Sequence, residues 1–129
     1  MKSVFKSPAF AVLLLAFILL SHGLALWFNL YYLFWWLDNA LHFLGGFEIV
    51  LVFNLLIKYF GLNLMGARVQ LASLTIFLGL TALSGILWEF FEFFLNRYIV
   101  HIGFINYEDT LTDLFFDLLG GVVGFILVL

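Results

Sequence analysis

The chain has 129 residues, 66% hydrophobic and only 10% charged, with a formal net charge of −3. Soluble domains are about one quarter charged, so the composition excludes an ordinary soluble domain and describes one small integral membrane domain over residues 1–129. The few scattered basic residues exclude nucleic acid as a partner, and the absence of cysteine excludes disulfides and thiolate metal sites.

Lys2 and Lys6 precede Pro8, which suits the first position of a helix because its missing N–H is an orphan there anyway. A Lys-rich start before an apolar run also marks a signal peptide. The run here is longer than a usual signal core, so an uncleaved span over about 9–28 is expected. The segment NLYYLFWWL at 29–37 is aromatic rather than aliphatic. With Trp27, it reads as an interfacial belt in which Tyr31, Tyr32, Trp35 and Trp36 lie along the membrane surface. Further spans are expected over about 38–60, 70–95 and 110–129, each long enough to cross a bilayer. Asn63, Gly66 and Arg68 fall in a short polar turn, and 96–107 is the longest connection. The expected fold is all-α: a polytopic bundle of about four transmembrane helices plus a short interfacial aromatic segment.

Lys2, Lys6, Lys58 and Arg68 fall on one side of this arrangement, and Arg97 alone falls on the other. The positive-inside rule then puts both termini in the cytoplasm, with the protein in a bacterial or archaeal cytoplasmic membrane.

The stretch from Tyr107 to Gly124, YEDTLTDLFFDLLGGVVG, spaces Asp109, Asp113 and Asp117 four residues apart. That spacing puts them on one helix face, and Gly120, Gly121 and Gly124 continue roughly the same stripe. Carboxylates in a membrane span are expensive and point to function. Depth brings other polar residues to the same layer. Asp38 opens the second span, with His42 one turn deeper, about 6 Å further in. Glu89 and Glu92 lie within two turns of the outer end of the third span, and Ser21 and His22 lie in the outer half of the first. Separate helices thus deliver Asp38, His42, Glu89, Glu92, Asp113 and Asp117 to one outer layer.

Such carboxylates cannot all ionise without compensation, and Arg97 is the lone basic residue on that side. Protons or a bound cation must neutralise them. Hard carboxylate oxygens suit Mg²⁺, Mn²⁺ or Ca²⁺, and one or two His ligands would also admit Zn²⁺, the less favoured ion. The ligand set expected from sequence is Glu89, Glu92, Asp113 and Asp117. His42, oriented by Asp38, is expected to act as general base.

Plainer roles account for other polar residues. Asp109 reads as the N-cap of the fourth span, and for Asp38 a cap and a functional role weigh equally. Glu108 reads as a solvated loop charge, His101 as a loop residue with no special role, and His22 as an interhelical hydrogen bond. The Gly45-Gly46 and Gly120-Gly121 pairs read as close-packing positions. Trp88 is interfacial or lines a pocket. Glu48 lies near mid-depth with no evident partner.

The ordered set DNALH, WEFFE and DLFFDLLGG resembles the VanZ-like and YjdF-like small membrane proteins over about Asp38 to Gly124. The VanZ-like branch usually carries Gln and Asn where this chain has Glu92 and Asp117, so the YjdF-like branch looks nearer. These families have been grouped with the phosphatidylserine synthases. The resemblance therefore implies chemistry on a lipid or polyprenyl-phosphate head group at the membrane face, with membrane lipid as partner. The leading expectation is a metal-dependent enzyme on a phospholipid or lipid-linked phosphate. A cation or proton carrier is the first rival, although the inner half offers only Glu48, Asn54 and Lys58 as polar stations. A non-catalytic envelope-binding or assembly protein is the second.

Overall fold

The computed structural model describes residues 4–62, 70–99 and 106–128. The expectations for Lys2, Asn63, Gly66, Arg68 and His101 lie outside those residues. A 3-10 turn at Val4–Lys6 leads into α1 (Pro8–Trp27), followed by the short α2 (Leu30–Leu33), α3 (Leu37–Tyr59), α4 (Gln70–Tyr98) and α5 (Tyr107–Val128). No strand occurs among the described residues. Helices α1, α3, α4 and α5 are each long and apolar enough to cross a membrane. The protein is an all-α membrane helical bundle.

Ser7 is extended ahead of Pro8, which supplies the pre-set φ of a helical first turn. After α1 the chain turns at Asn29, which has a φ of 53°. Asn tolerates that left-handed backbone better than most residues. The turn sets the aromatic segment across the end of the bundle. Trp27, Tyr32, Trp35 and Trp36 are exposed there as a belt would be, but Tyr31 is buried. It faces inward because its ring packs with Ala25 and Leu41 in the apolar cluster that closes this end.

Helix α3 is the centre of the bundle and packs most extensively on α5. Two glycines allow this. A Cβ built on Gly46 would overlap the backbone carbonyl of Asp117, and one on Gly120 would overlap the carbonyl of Phe43. The two backbones therefore touch across a strip where neither helix has a side chain, as small residues permit in lipid. Gly45 is different: a Cβ there would meet only Asp117 Oδ1, at an ordinary 3.8 Å. The pair read as two packing positions thus contains one.

The larger apolar core, with Phe47, Val50, Leu51, Phe77 and Phe125 among its members, fills the other half of the bundle. Asp38 and His42 of α3, Glu92 of α4, and Asp113 and Asp117 of α5 are buried outside this larger core, whereas Asn54 and Ser73 are buried alongside it. Helix α1 packs against α3 but makes no close backbone approach to α4 among the described residues. A gap between α1 and α4 results, bridged by the His22 ring on the Trp88 ring at 5.1 Å between centroids.

Candidate functional site

Asp38 and His42 lie in the first two turns of α3, and both are buried. The N-cap position of α3 is Trp36, with no side-chain capping bond. Asp38 is therefore no cap; it sits inside the helix, one turn from His42 on the same face. The cap expected of Asp109 belongs instead to Asn106, whose Oδ1 accepts the backbone N–H groups of Glu108 at 2.9 Å and Asp109 at 3.1 Å. Because α5 begins at Tyr107, the Asx position falls one residue before it, and Asp109 lies too far along the first turn to cap.

His42 is the hub. Its Nε2 lies 3.9 Å from Asp38 Oδ1, 4.0 Å from Glu89 Oε1 and 3.9 Å from Asp113 Oδ2. Its Nδ1 lies 3.3 Å from Asp117 Oδ2, a long hydrogen bond in which an Nδ1–H would donate to the carboxylate. Three helices thus bring four carboxylates around one imidazole. Among the described residues, every ion-pair distance to these acids runs to His42. The orienting partner is Asp117, on Nδ1, where Asp38 was expected.

Helix α4 contributes Glu89 and Glu92. Thr110 Oγ1 donates to Glu89 Oε2 at 2.7 Å, which aims Glu89 Oε1 at His42, where it has no hydrogen-bond partner. Glu92 is buried and accepts a hydrogen bond from Trp88, one turn earlier. On α5, Asp113 is 1% exposed, and among the described residues neither of its carboxyl oxygens has a partner. Leaving such a group unsatisfied costs at least about 1–3 kcal/mol, so a fully buried Asp with two idle oxygens calls for a compensating proton, donor or cation.

Gly85 of α4 shapes the site from the opposite side. A Cβ there would collide with Asp117 Oδ2, so a glycine lets this carboxylate stand between α3 and α4 and reach His42.

Two groups of side chains gather ligand atoms within 4.8 Å of one another: Asp38, His42 and Asp113; and His42, Glu89 and Glu92. His42 belongs to both. Of the expected set, Glu89 and Glu92 fall in one group, Asp113 falls in the other, and Asp117 falls in neither. Separations of 3.9–4.0 Å from Nε2 to three carboxylate oxygens are wider than the roughly 3 Å between adjacent ligands of a Mg²⁺-sized ion. Rotamer adjustment of the acids would close that difference.

His22 and Tyr31 share a hydrogen bond of 2.6 Å between Nδ1 and the phenolic oxygen. Burial, and then the nearby Asp38, Glu92 and Asp113, push the Tyr31 phenol well above its ordinary range. Its hydroxyl is therefore available as the donor of that bond. The bond ties α1 to α2 and is the kind of link expected for His22, with Nε2 left buried and unpartnered.

Among known protein families, the one described as a predicted membrane protein (DUF2238) matches residues 2–129. The chain belongs to this family. No curated protein and no solved structure matches it. The family match covers every helix and all the clustered residues, so the His42 site lies wholly inside the shared domain.

Proposed function

We propose that this membrane protein is a metal-dependent enzyme acting on a phospholipid or lipid-linked phosphate head group, with its site near the outer face of the membrane. The observation that carries the reading is the set of buried, unpartnered acceptors around His42: its own Nε2, Glu89 Oε1 and both oxygens of Asp113. Carboxylates crowded in a low-dielectric layer need positive charge, and no Lys or Arg supplies it among the described residues. Asp38, Asp113 and Glu89, with His42 Nε2, would hold a divalent cation. Mg²⁺, Mn²⁺ and Ca²⁺ suit the oxygens, and the imidazole leaves Zn²⁺ as a further choice.

In this arrangement Asp117 holds the imidazole through Nδ1, the usual outer partner of a metal-binding histidine. His42 is then a ligand, and the general-base role expected of it passes to a carboxylate. Glu92 lies in one group with His42 and Glu89 and offers an acceptor for the proton of an attacking water or alcohol. A bound divalent cation would supply charge neutralisation for a phosphate. Four carboxylates repel a bare phosphate, so such a substrate has no favourable seat here without that charge. The resemblance to VanZ-like and YjdF-like proteins supports the same substrate class.

The testing experiment is a head-group release and exchange assay on the purified protein, using vesicles that contain phospholipids or a polyprenyl phosphate. Turnover is expected with a divalent cation, and loss of at least about a hundredfold on chelation or in Glu89→Gln, in line with removal of one electrostatic contact to a transition state. Turnover indifferent to both would overturn the reading. Orientation has its own check. A reporter fused after Leu129 is expected to read as cytoplasmic, from the Lys and Arg asymmetry. An external reading would move the site to the cytoplasmic leaflet.

A further inference from the structure

The gap between α1 and α4 contains a cavity of about 160 Å³. Its walls are mainly apolar, with Leu15, Ile18 and Leu19 from α1 and Leu41 and Ile49 from α3. Leu15 and Leu19 are 44% and 51% exposed on the outer surface of the bundle, so the wall between cavity and lipid is one side chain thick. Asp38, His42 and Asp117 line one end. Glu89, Glu92 and Asp113 do not line it, and neither does any Lys or Arg.

Glu48 lines this cavity as well. It is 3% exposed, and among the described residues neither carboxyl oxygen has a hydrogen-bond partner. It lies six residues beyond His42 on α3, about 9 Å deeper. The metal reading makes no use of it. A carboxyl without a partner at that depth is costly and asks for a ligand that brings a positive charge or a donor. Trp88 also faces the cavity, and an indole face attracts organic cations.

We infer that the cavity between α1, α3 and α4 is a binding site for a small lipophilic organic cation, held by the Glu48 carboxylate and the Trp88 ring. Apolar walls take up the hydrocarbon part, and Glu48 pairs with the ammonium. The ligand enters from the lipid, past Leu15 and Leu19. A zwitterionic lipid head group is a poor occupant. Its ammonium is tied to a phosphate by a short linker, and the phosphate would be drawn past Asp38 and Asp117 into a compartment lined by no basic residue among the described ones. The cavity shares Asp38 and His42 with the cation cluster at one end, but the ammonium is placed at Glu48, about 9 Å deeper than His42, and Glu89 and Asp113 do not line it.

The test uses the full-length protein in lipid nanodiscs and radiolabelled benzyltrimethylammonium as probe, with equilibrium dialysis as readout. Neopentylbenzene, its uncharged isostere, serves as competitor. Saturable binding is expected, and neopentylbenzene is expected not to displace the probe. Glu48→Gln should weaken binding by at least about thirtyfold, the usual scale for removing one partner of a buried charge pair. Trp88→Leu should weaken it about fivefold. Asp113→Asn should leave it unchanged. Leu15→Trp, which fills the cavity from the α1 side without touching an ionisable group, should abolish it, and this variant keeps the test decisive if Glu48→Gln fails to fold. Undiminished binding in Glu48→Gln or in Leu15→Trp would overturn the inference. Displacement by neopentylbenzene would also do so and would point to a lipid chain as occupant. Loss in Asp113→Asn would place the probe among the acids around His42 instead.

Discussion

His42→Ala is expected to erase the stabilisation that divalent cations confer on this protein. Any ligand that binds the folded state alone stabilises it by mass action, by about 2.7 kcal/mol at a hundredfold excess over its dissociation constant. His42 is the residue common to both groups that gather ligand atoms, so its loss dissolves both. Asp113→Asn separates the charge term from the shape term. It keeps the volume of a side chain that is 1% exposed and removes one anion. Without cation, Asp113→Asn should melt no lower than the wild type, because it relieves repulsion among the acids around His42. With cation, its gain should be smaller than that of the wild type. His42→Ala should melt lower than the wild type even without cation, since the four carboxylates lose the imidazole that lies between them. Thermal denaturation in detergent across Mg²⁺, Mn²⁺, Ca²⁺ and Zn²⁺ reads both effects. An undiminished gain in both variants would remove the support for a cation at this site.

Gly46→Ala should be among the most damaging single methyl additions in the chain, and Gly45→Ala among the mildest. The added Cβ at Gly46 would run into the backbone of Asp117, and no rotamer can move a backbone carbonyl aside. Overpacking typically costs about 1–3 kcal/mol, and a backbone contact at the centre of the α3–α5 seam belongs at the upper end. A loss near 3 kcal/mol corresponds to a fall of about 10 °C in Tm for a domain of this size. Asp117 rides on the displaced segment, so its hold on His42 would go too, and with it the cation response. At Gly45 the new methyl meets a carboxylate oxygen at 3.8 Å, an ordinary contact, and Ala also favours the helix. The Tm of that variant should stay within a few degrees of the wild type. Equal losses at the two positions would mean that α3 and α5 do not approach as closely as described.

How far the sequence alone reached can be judged residue by residue. Four apolar runs separated by polar breaks announce four helices because lipid leaves the backbone few other choices. Depth could be read as well, since 1.5 Å per residue and alternating direction place Asp38, His42, Glu89, Glu92, Asp113 and Asp117 in one layer. Rotation about each helix axis could not. Whether Asp38 or Asp117 takes His42 Nδ1 depends on how α3 and α5 turn toward each other, and that is decided by Gly46 and Gly120 meeting backbone to backbone. The cap at Asn106 was missed for a different reason: moving a helix start by a few residues transfers the capping position, and propensity does not resolve helix ends that finely. Tyr31 was counted with the belt because amphipathic aromatics look alike in sequence. The signal that could have set it apart is its spacing from His22 across the Asn29 turn, which lets the two side chains meet. Glu48 looked partnerless and is. The cavity beside it comes from a gap between α1 and α4, a property of helix placement that no local pattern records.

A divalent cation held by the His42 imidazole, as proposed, can be read with Mn²⁺. Mn²⁺ is paramagnetic, so electron spin echo spectroscopy of the Mn²⁺-loaded protein reports a nitrogen nucleus bonded to the ion. One tightly held Mn²⁺ per chain with an imidazole nitrogen coupling is expected, with loss of that coupling in His42→Ala. Mn²⁺ that stays free in solution, or binds with no nitrogen coupling in the wild type, would contradict it.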